Sequence, residues 1–206
     1  MFYKYFSHNK YLERYYDKNC RNFQDSPKAS GWYSRHSQDL RFLAATLIED
    51  LNDQNILDVG CGQADLLDYL KADNISVKYE GIDLSTEMLK KAKIKFPNEK
   101  FNRIDLFDPK FQNTYDYVFA SGAFSLKLFN QYSYIKKAIT KMFSLAKKGI
   151  AFNLLSSYAP ELMKNKKVFF YYKPSKILNL CFSVSPHVTL YHNYLANDFT
   201  IHMYKN

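Results

Sequence analysis

Cysteine is scarce in this chain: Cys20, Cys61 and Cys181 are its three, far apart and odd in number. That usage excludes a disulfide framework or a cysteine-rich zinc site and suits reduced thiols in the cytoplasm. Long apolar runs are missing too, none approaching the roughly 18 residues that cross a bilayer. Residues 1–10 are polar and aromatic, so neither a signal peptide nor a membrane partner is expected. Arginine supplies only 5 of the 29 cationic residues, against 24 lysines. The net charge of +9 therefore lacks the planar forks that grip phosphates and guanine edges, and nucleic acid is not the expected partner. The lysines fall on helix exteriors instead, as at Lys90, Lys91, Lys93 and Lys95.

What is present is an ordinary globular balance of 206 residues, 47% apolar and 24% charged, which suits a single domain over 1–206. Residues 3–22 alternate aromatic and charged types at helical spacing, and with the polar stretch up to position 33 they form an expected helical cap. Ser34 or Ser37 caps a helix with Leu40, Leu43, Ala44, Leu47, Ile48 and Leu51 on its apolar face. From position 55 strands and helices alternate: strands at 56–59, 77–82, 100–104, 115–120 and 150–155, and helices at 64–72, 85–96 and 131–148. Lys147-Lys148-Gly149 reads as the last helix's C-cap. After a loop at 156–173 come a helix at 174–182 and two β-rich runs, 187–194 and 198–204. The fold class is α/β: an open, mostly parallel seven-stranded sheet with helices on both faces and a C-terminal antiparallel hairpin.

The chemistry concentrates in Leu57-Asp58-Val59-Gly60-Cys61-Gly62, with Gly81-Ile82-Asp83 following. A glycine turn after the first strand lets a ligand approach the backbone at a helix N-terminus. Asp83, 23 residues after Gly60, suits the two hydroxyls of a ribose. A dinucleotide fingerprint would place its third glycine at position 65, where this chain has Asp65. That carboxylate, with Asp58 in the same turn, repels a pyrophosphate but welcomes a cationic cofactor. S-adenosylmethionine carries an ammonium and a sulfonium, and no phosphate.

With these residues in place, the chain resembles the class I (Rossmann-like) S-adenosylmethionine-dependent methyltransferases. Residues 57–62 match the family's first motif and 81–85 its second; 102–106 resemble the third and 115–122 the fourth strand. The resemblance implies that Asp58, Gly60 and Gly62 cradle the methionine part and that Asp83 takes the ribose, with Leu84 beside it. It also implies that Met88 packs on the adenine, that Asp105 and the Leu106 N–H bind its edge, and that Ser121 faces the methyl donor. Ala64 departs from the pattern, standing where many members carry a third glycine.

A sulfonium is already an excellent methyl donor, so the lack of an obvious catalytic triad does not argue against catalysis. The fourth strand ends Ala120-Ser121-Gly122-Ala123-Phe124, without the Pro-Pro-aromatic motif of amino methyltransferases acting on adenine or glutamine. The expected reaction is therefore methyl transfer to a small molecule. Attack on the cofactor's aminocarboxypropyl chain with release of methylthioadenosine, methylation of RNA or protein, and a non-catalytic sensor remain as alternatives. Trp32, Phe124 and Tyr158 are candidates for the acceptor, and Tyr158, Tyr171 and Tyr172 for catalysis by their aromatic faces. Tyr33 is a candidate lid over the cofactor. Gln38 and Arg41 follow about one and two turns on, and Arg41, a lone cation in an apolar stretch, suits a carboxylate. His187 and His192, five apart, fall on opposite faces of a strand, so no metal site is expected.

Overall fold

The central strands of the sheet are built on apolar and aromatic runs, Asn55–Val59 and Tyr115–Ala120 among them, each followed by a turn that holds glycine. The structure, a computed structural model, describes residues 2–23 and 34–205, with side chains from position 8 onward. Seven strands are β1 (Asn55–Val59), β2 (Lys78–Asp83), β3 (Lys100–Arg103), β4 (Tyr115–Ala120), β5 (Ala146–Leu155), β6 (Val188–Tyr191) and β7 (Asp198–Tyr204). They form one sheet in the order β3-β2-β1-β4-β5-β7-β6. The first five strands run parallel, and β7 lies antiparallel between β5 and β6. The expected parallel sheet with its closing hairpin is what forms.

Strand alternation sorts side chains into two cores. In β4, Tyr117 and Phe119 pack with α2 (Arg35–Thr46), α3 (Asp65–Ala72) and α4 (Thr86–Lys95). Val118 and Ala120 face α5 (Gln131–Leu145) and α6 (Pro174–Phe182) on the other side. Each fully buried Phe, Ile or Leu stabilises the fold by about 1.5–3 kcal/mol. Both faces are covered, so the parallel arrangement leaves neither one wet. The strand order changes direction between the parallel neighbours β1 and β4, and that switch point opens a crevice at the carboxyl ends of these strands.

The remaining helix, α1 (Phe2–Phe23), crosses that carboxyl edge. It is docked by Asn9 donating to Asp105 (2.7 Å), by a Glu13–Arg103 ion pair (2.6 Å) and by Ser85 donating to Asp17 (2.5 Å). Leu12 and Cys20 are buried on its inner side. Residues 24–33 of the expected cap, Trp32 and Tyr33 among them, lie outside the described residues.

Two expectations need correction. The helix expected to reach position 148 ends at Leu145, and Ala146 at ψ 140 starts β5 without a loop. Gly149 is therefore no cap. It sits inside β5, where a Cβ would stand 2.7 Å from the Met203 carbonyl of β7, so only glycine permits this strand approach. The apolar face of α2 is also rotated from expectation. Leu43 and Leu47 are 46% and 58% exposed, while Gln38, Arg41, Phe42 and Ala45 turn inward. Polar anchors set that rotation: Arg41 pairs with Asp198 and Gln38 donates to Asp65.

Candidate active site

The turn after β1 is built from backbone geometry that side chains resist. Gly60 and Gly62 have φ of +74° and +55°. At Gly60 a Cβ would also lie 2.7 Å from the Cβ of Ala123 in the loop after β4, so the two loops pack directly. The Gly60 and Cys61 N–H groups donate to the Ile82 carbonyl at 2.8 and 3.1 Å. Ala64, the N-cap of α3, keeps the left-handed geometry (φ 63°) that suits glycine, at a cost of about 1–2 kcal/mol. Its buried methyl is part of the core with Leu66 and Leu67, so the turn shape survives the departure from the family pattern.

Carboxylates collect around this turn. Asp83 at the end of β2 accepts from the Gly62 N–H (2.9 Å) and the Ser85 N–H (2.7 Å). Burial raises its pKa, and those N–H groups oppose the rise. Asp58 is 3% exposed and accepts from the Tyr79 hydroxyl at 2.7 Å. Burial, then the charges of Asp83 and Asp65, push its pKa up to about 7 against the pull of Tyr79. Asp105 accepts from Asn9 and from the Phe107 N–H (2.9 Å). Ser85 caps α4 by accepting from the Met88 N–H at 3.2 Å, which brings Met88 under α1.

One cleft of about 930 Å³, its open mouth included, runs along these residues. Asp58, Gly60, Gly62 and Asp83 line it, as do Leu84, Met88, Asp105 and Leu106, and Ser121 and Phe124 at the β4 side. Sequence reasoning missed Leu12 and Tyr16 of α1, Phe42 of α2 and Tyr134 of α5, which close the walls. The signal in α1 was the four-residue step from Leu12 to Tyr16 to Cys20. Among the described residues the lining holds four aspartates and no lysine, arginine or histidine.

Four candidates stand elsewhere. Arg41 does not line the cleft. It is 3% exposed, with its Nε 2.8 Å from Asp198 Oδ2, and the β7 carboxylate takes the role expected of a ligand. Tyr172 is fully buried; its hydroxyl donates to the Phe124 carbonyl (2.9 Å) and accepts from Gln131 (2.6 Å). Tyr171 accepts from the Asn165 N–H within its own loop, and Tyr158 is 73% exposed beside His192. The loop lies away from the cleft because its backbone is tied down. Phe170 N–H donates to Ser125 O, Lys127 N–H to Val168 O, and Tyr172 N–H to Leu155 O. No His, Cys, Asp and Glu grouping among the described residues could hold a metal ion.

The sequence profile of a family described as "Methyltransferase domain" matches residues 56–149. Rv1506c of Mycobacterium tuberculosis, a protein named as a methyltransferase, is 32% identical over 152 residues, spanning 71% of this chain and 90% of its own length. The chain belongs to the class I S-adenosylmethionine-dependent methyltransferases. Solved methyltransferase structures share the fold, two of them over nearly the whole chain. Magnesium protoporphyrin IX methyltransferase from Synechocystis, solved with S-adenosylhomocysteine, superposes at a TM-score of 0.67 with 16% identity, over 96% of this chain and 99% of that one. The plantazolicin methyltransferase BpumL, also with S-adenosylhomocysteine, reaches 0.62 with 15% identity, over 97% and 98%.

The enzyme's cofactor is S-adenosylmethionine, and the cleft fits it chemically. A cationic ligand meets a lining whose charged side chains, among the described residues, are all acidic. In addition, two buried polar atoms in the wall, Gln38 Oε1 and Ser121 Oγ, have no hydrogen-bond partner among the described residues. Such atoms cost about 1–3 kcal/mol each unless a ligand pairs them.

Proposed function

We propose that this methyltransferase acts on a small-molecule acceptor by in-line transfer. The observation that supports this most is the cleft itself: α1 roofs it through three polar contacts, and its described lining has no cation. A nucleic-acid substrate would need an open track with phosphate-binding side chains. The two structural relatives named for magnesium protoporphyrin IX and plantazolicin lend support. No helix among the described residues is long and apolar enough to cross a membrane. The three buried cysteines, none of them in a disulfide, favour the cytoplasm, and we read the chain as a single domain.

In this reading Asp58, Gly60 and Gly62 hold the methionine part, and Asp83 accepts from the ribose hydroxyls. Leu84, Met88 and Leu106 enclose the base, Asp105 takes its amine, Ser121 faces the methyl donor and Phe124 faces the acceptor. The bound sulfonium supplies an activated methyl group. The chain's own residues orient the two partners and exclude water, which is where most of the acceleration in such a transfer arises. The test is incubation with S-adenosylmethionine and a metabolite extract, with the nucleoside product identified by mass spectrometry. S-adenosylhomocysteine together with a methylated small molecule is expected. Methylthioadenosine would instead mean attack on the aminocarboxypropyl chain, and turnover only with RNA or protein would refute the small acceptor.

A further inference from the structure

Gln38 is a polar side chain of the cleft to which the roles above give no task. It stands on the first turns of α2, is 1% exposed and lines the cleft beside Phe42 and Asp65. Its Nε2 donates to Asp65 Oδ2 at 2.8 Å. A carboxylate only accepts, so the orientation of the amide is settled: NH2 toward Asp65, and Oε1 away from it. That Oε1 is buried and has no hydrogen-bond partner among the described residues.

The missing partner must be a donor, and its place narrows the choice. Asp65 opens α3 directly after the glycine turn, while the acid assigned to the adenine, Asp105, lies beyond β3. Asp58 lines the same cleft from the end of β1. A sulfonium has no N–H to give, whereas an ammonium has three. We propose that Gln38 Oε1 accepts a hydrogen bond from the α-ammonium of S-adenosylmethionine, so that α2 reads the amino-acid end of the cofactor together with the glycine turn. This rests on the placement of the cofactor in this cleft.

The test compares two ligands that share the adenosine and the thioether. S-adenosylhomocysteine carries the ammonium; methylthioadenosine does not. Calorimetry on the full chain carrying Gln38→Met, which keeps side-chain length, should show about ten-fold or greater loss of affinity for S-adenosylhomocysteine, with methylthioadenosine changed by less than about two-fold. Unchanged affinity for S-adenosylhomocysteine overturns the proposal, and so does an equal loss for both ligands, which would mark a structural role. Asp83→Ala serves as the reference. If it weakens both ligands while Gln38→Met weakens neither, the role of Gln38 alone falls; if it weakens neither, the placement of the adenosine falls and the role of Gln38 with it. Should Gln38→Met fail to fold, Gln38→Asn, whose amide stops one methylene short, is read in the same way.

Discussion

Replacing Asp58 with asparagine sets stability against ligand affinity, and pH separates the two. The carboxyl is buried beside Tyr79, and burial with two neighbouring acids lifts its pKa from 3.8 to about 7. In the unfolded chain it titrates near 3.8. Between those values the folded protein keeps a proton that the unfolded chain has lost, so stability falls as pH rises through that window. The full interval is worth an upper bound of about 4 kcal/mol. Asparagine has no proton to lose and still offers Tyr79 an oxygen. Asp58→Asn should therefore match the wild type near pH 4 in urea denaturation and exceed it by a few kcal/mol near pH 8 when no cofactor is present. Binding moves the other way. A cofactor ammonium favours ionised Asp58, so wild-type affinity for S-adenosylhomocysteine should rise about ten-fold per pH unit below about pH 7 and level off above it. In the variant that rise should vanish, with affinity near pH 8 about ten-fold lower. A stability difference independent of pH, or a flat wild-type affinity between about pH 6 and pH 8 in folded protein, would refute the reasoning.

Gly60→Ala must place a side chain at φ +74° and 2.7 Å from Ala123. It should lower stability by about 2–4 kcal/mol and abolish detectable cofactor binding, read by thermal melting and calorimetry; retained binding would mean that the turn does not face the ligand. Tyr172→Phe removes a hydroxyl bonded to Phe124 and Gln131. Stability should drop by about 1–3 kcal/mol while kcat stays within about two-fold, and a large fall in kcat would restore Tyr172 as a catalytic residue.

The strands and the glycine turn were legible because each is a local decision. Tyr115 to Ala120 is a run that must be buried on both sides, and a turn flanked by Asp58 and Asp65 repels phosphate wherever the rest of the chain goes. The boundary between α5 and β5 was not legible. Lys147, Lys148 and Gly149 have the composition of a helix end, yet pairing of Gly149 with Tyr117 and Tyr204 draws them into the strand. Arg41 misled for a similar reason. A lone cation in an apolar stretch announces a buried anion, but the anion is Asp198, 157 residues away, and not a ligand. The tyrosines of the loop after β5 are candidates by residue type, and backbone pairing of 168–170 with residues 125–127 holds that loop away from the cleft.

By itself, then, the sequence determined the alternation of strands and helices, the turn and the charge of the ligand that turn accepts. These follow from periodicity, from φ preference and from Coulomb repulsion between neighbours in the chain. Only the tertiary structure decided which acids share a cleft, that α1 roofs it, and that Gln38 rather than Arg41 lines it. Those outcomes depend on which distant group satisfies each buried charge or amide, and a linear chain does not carry that information locally.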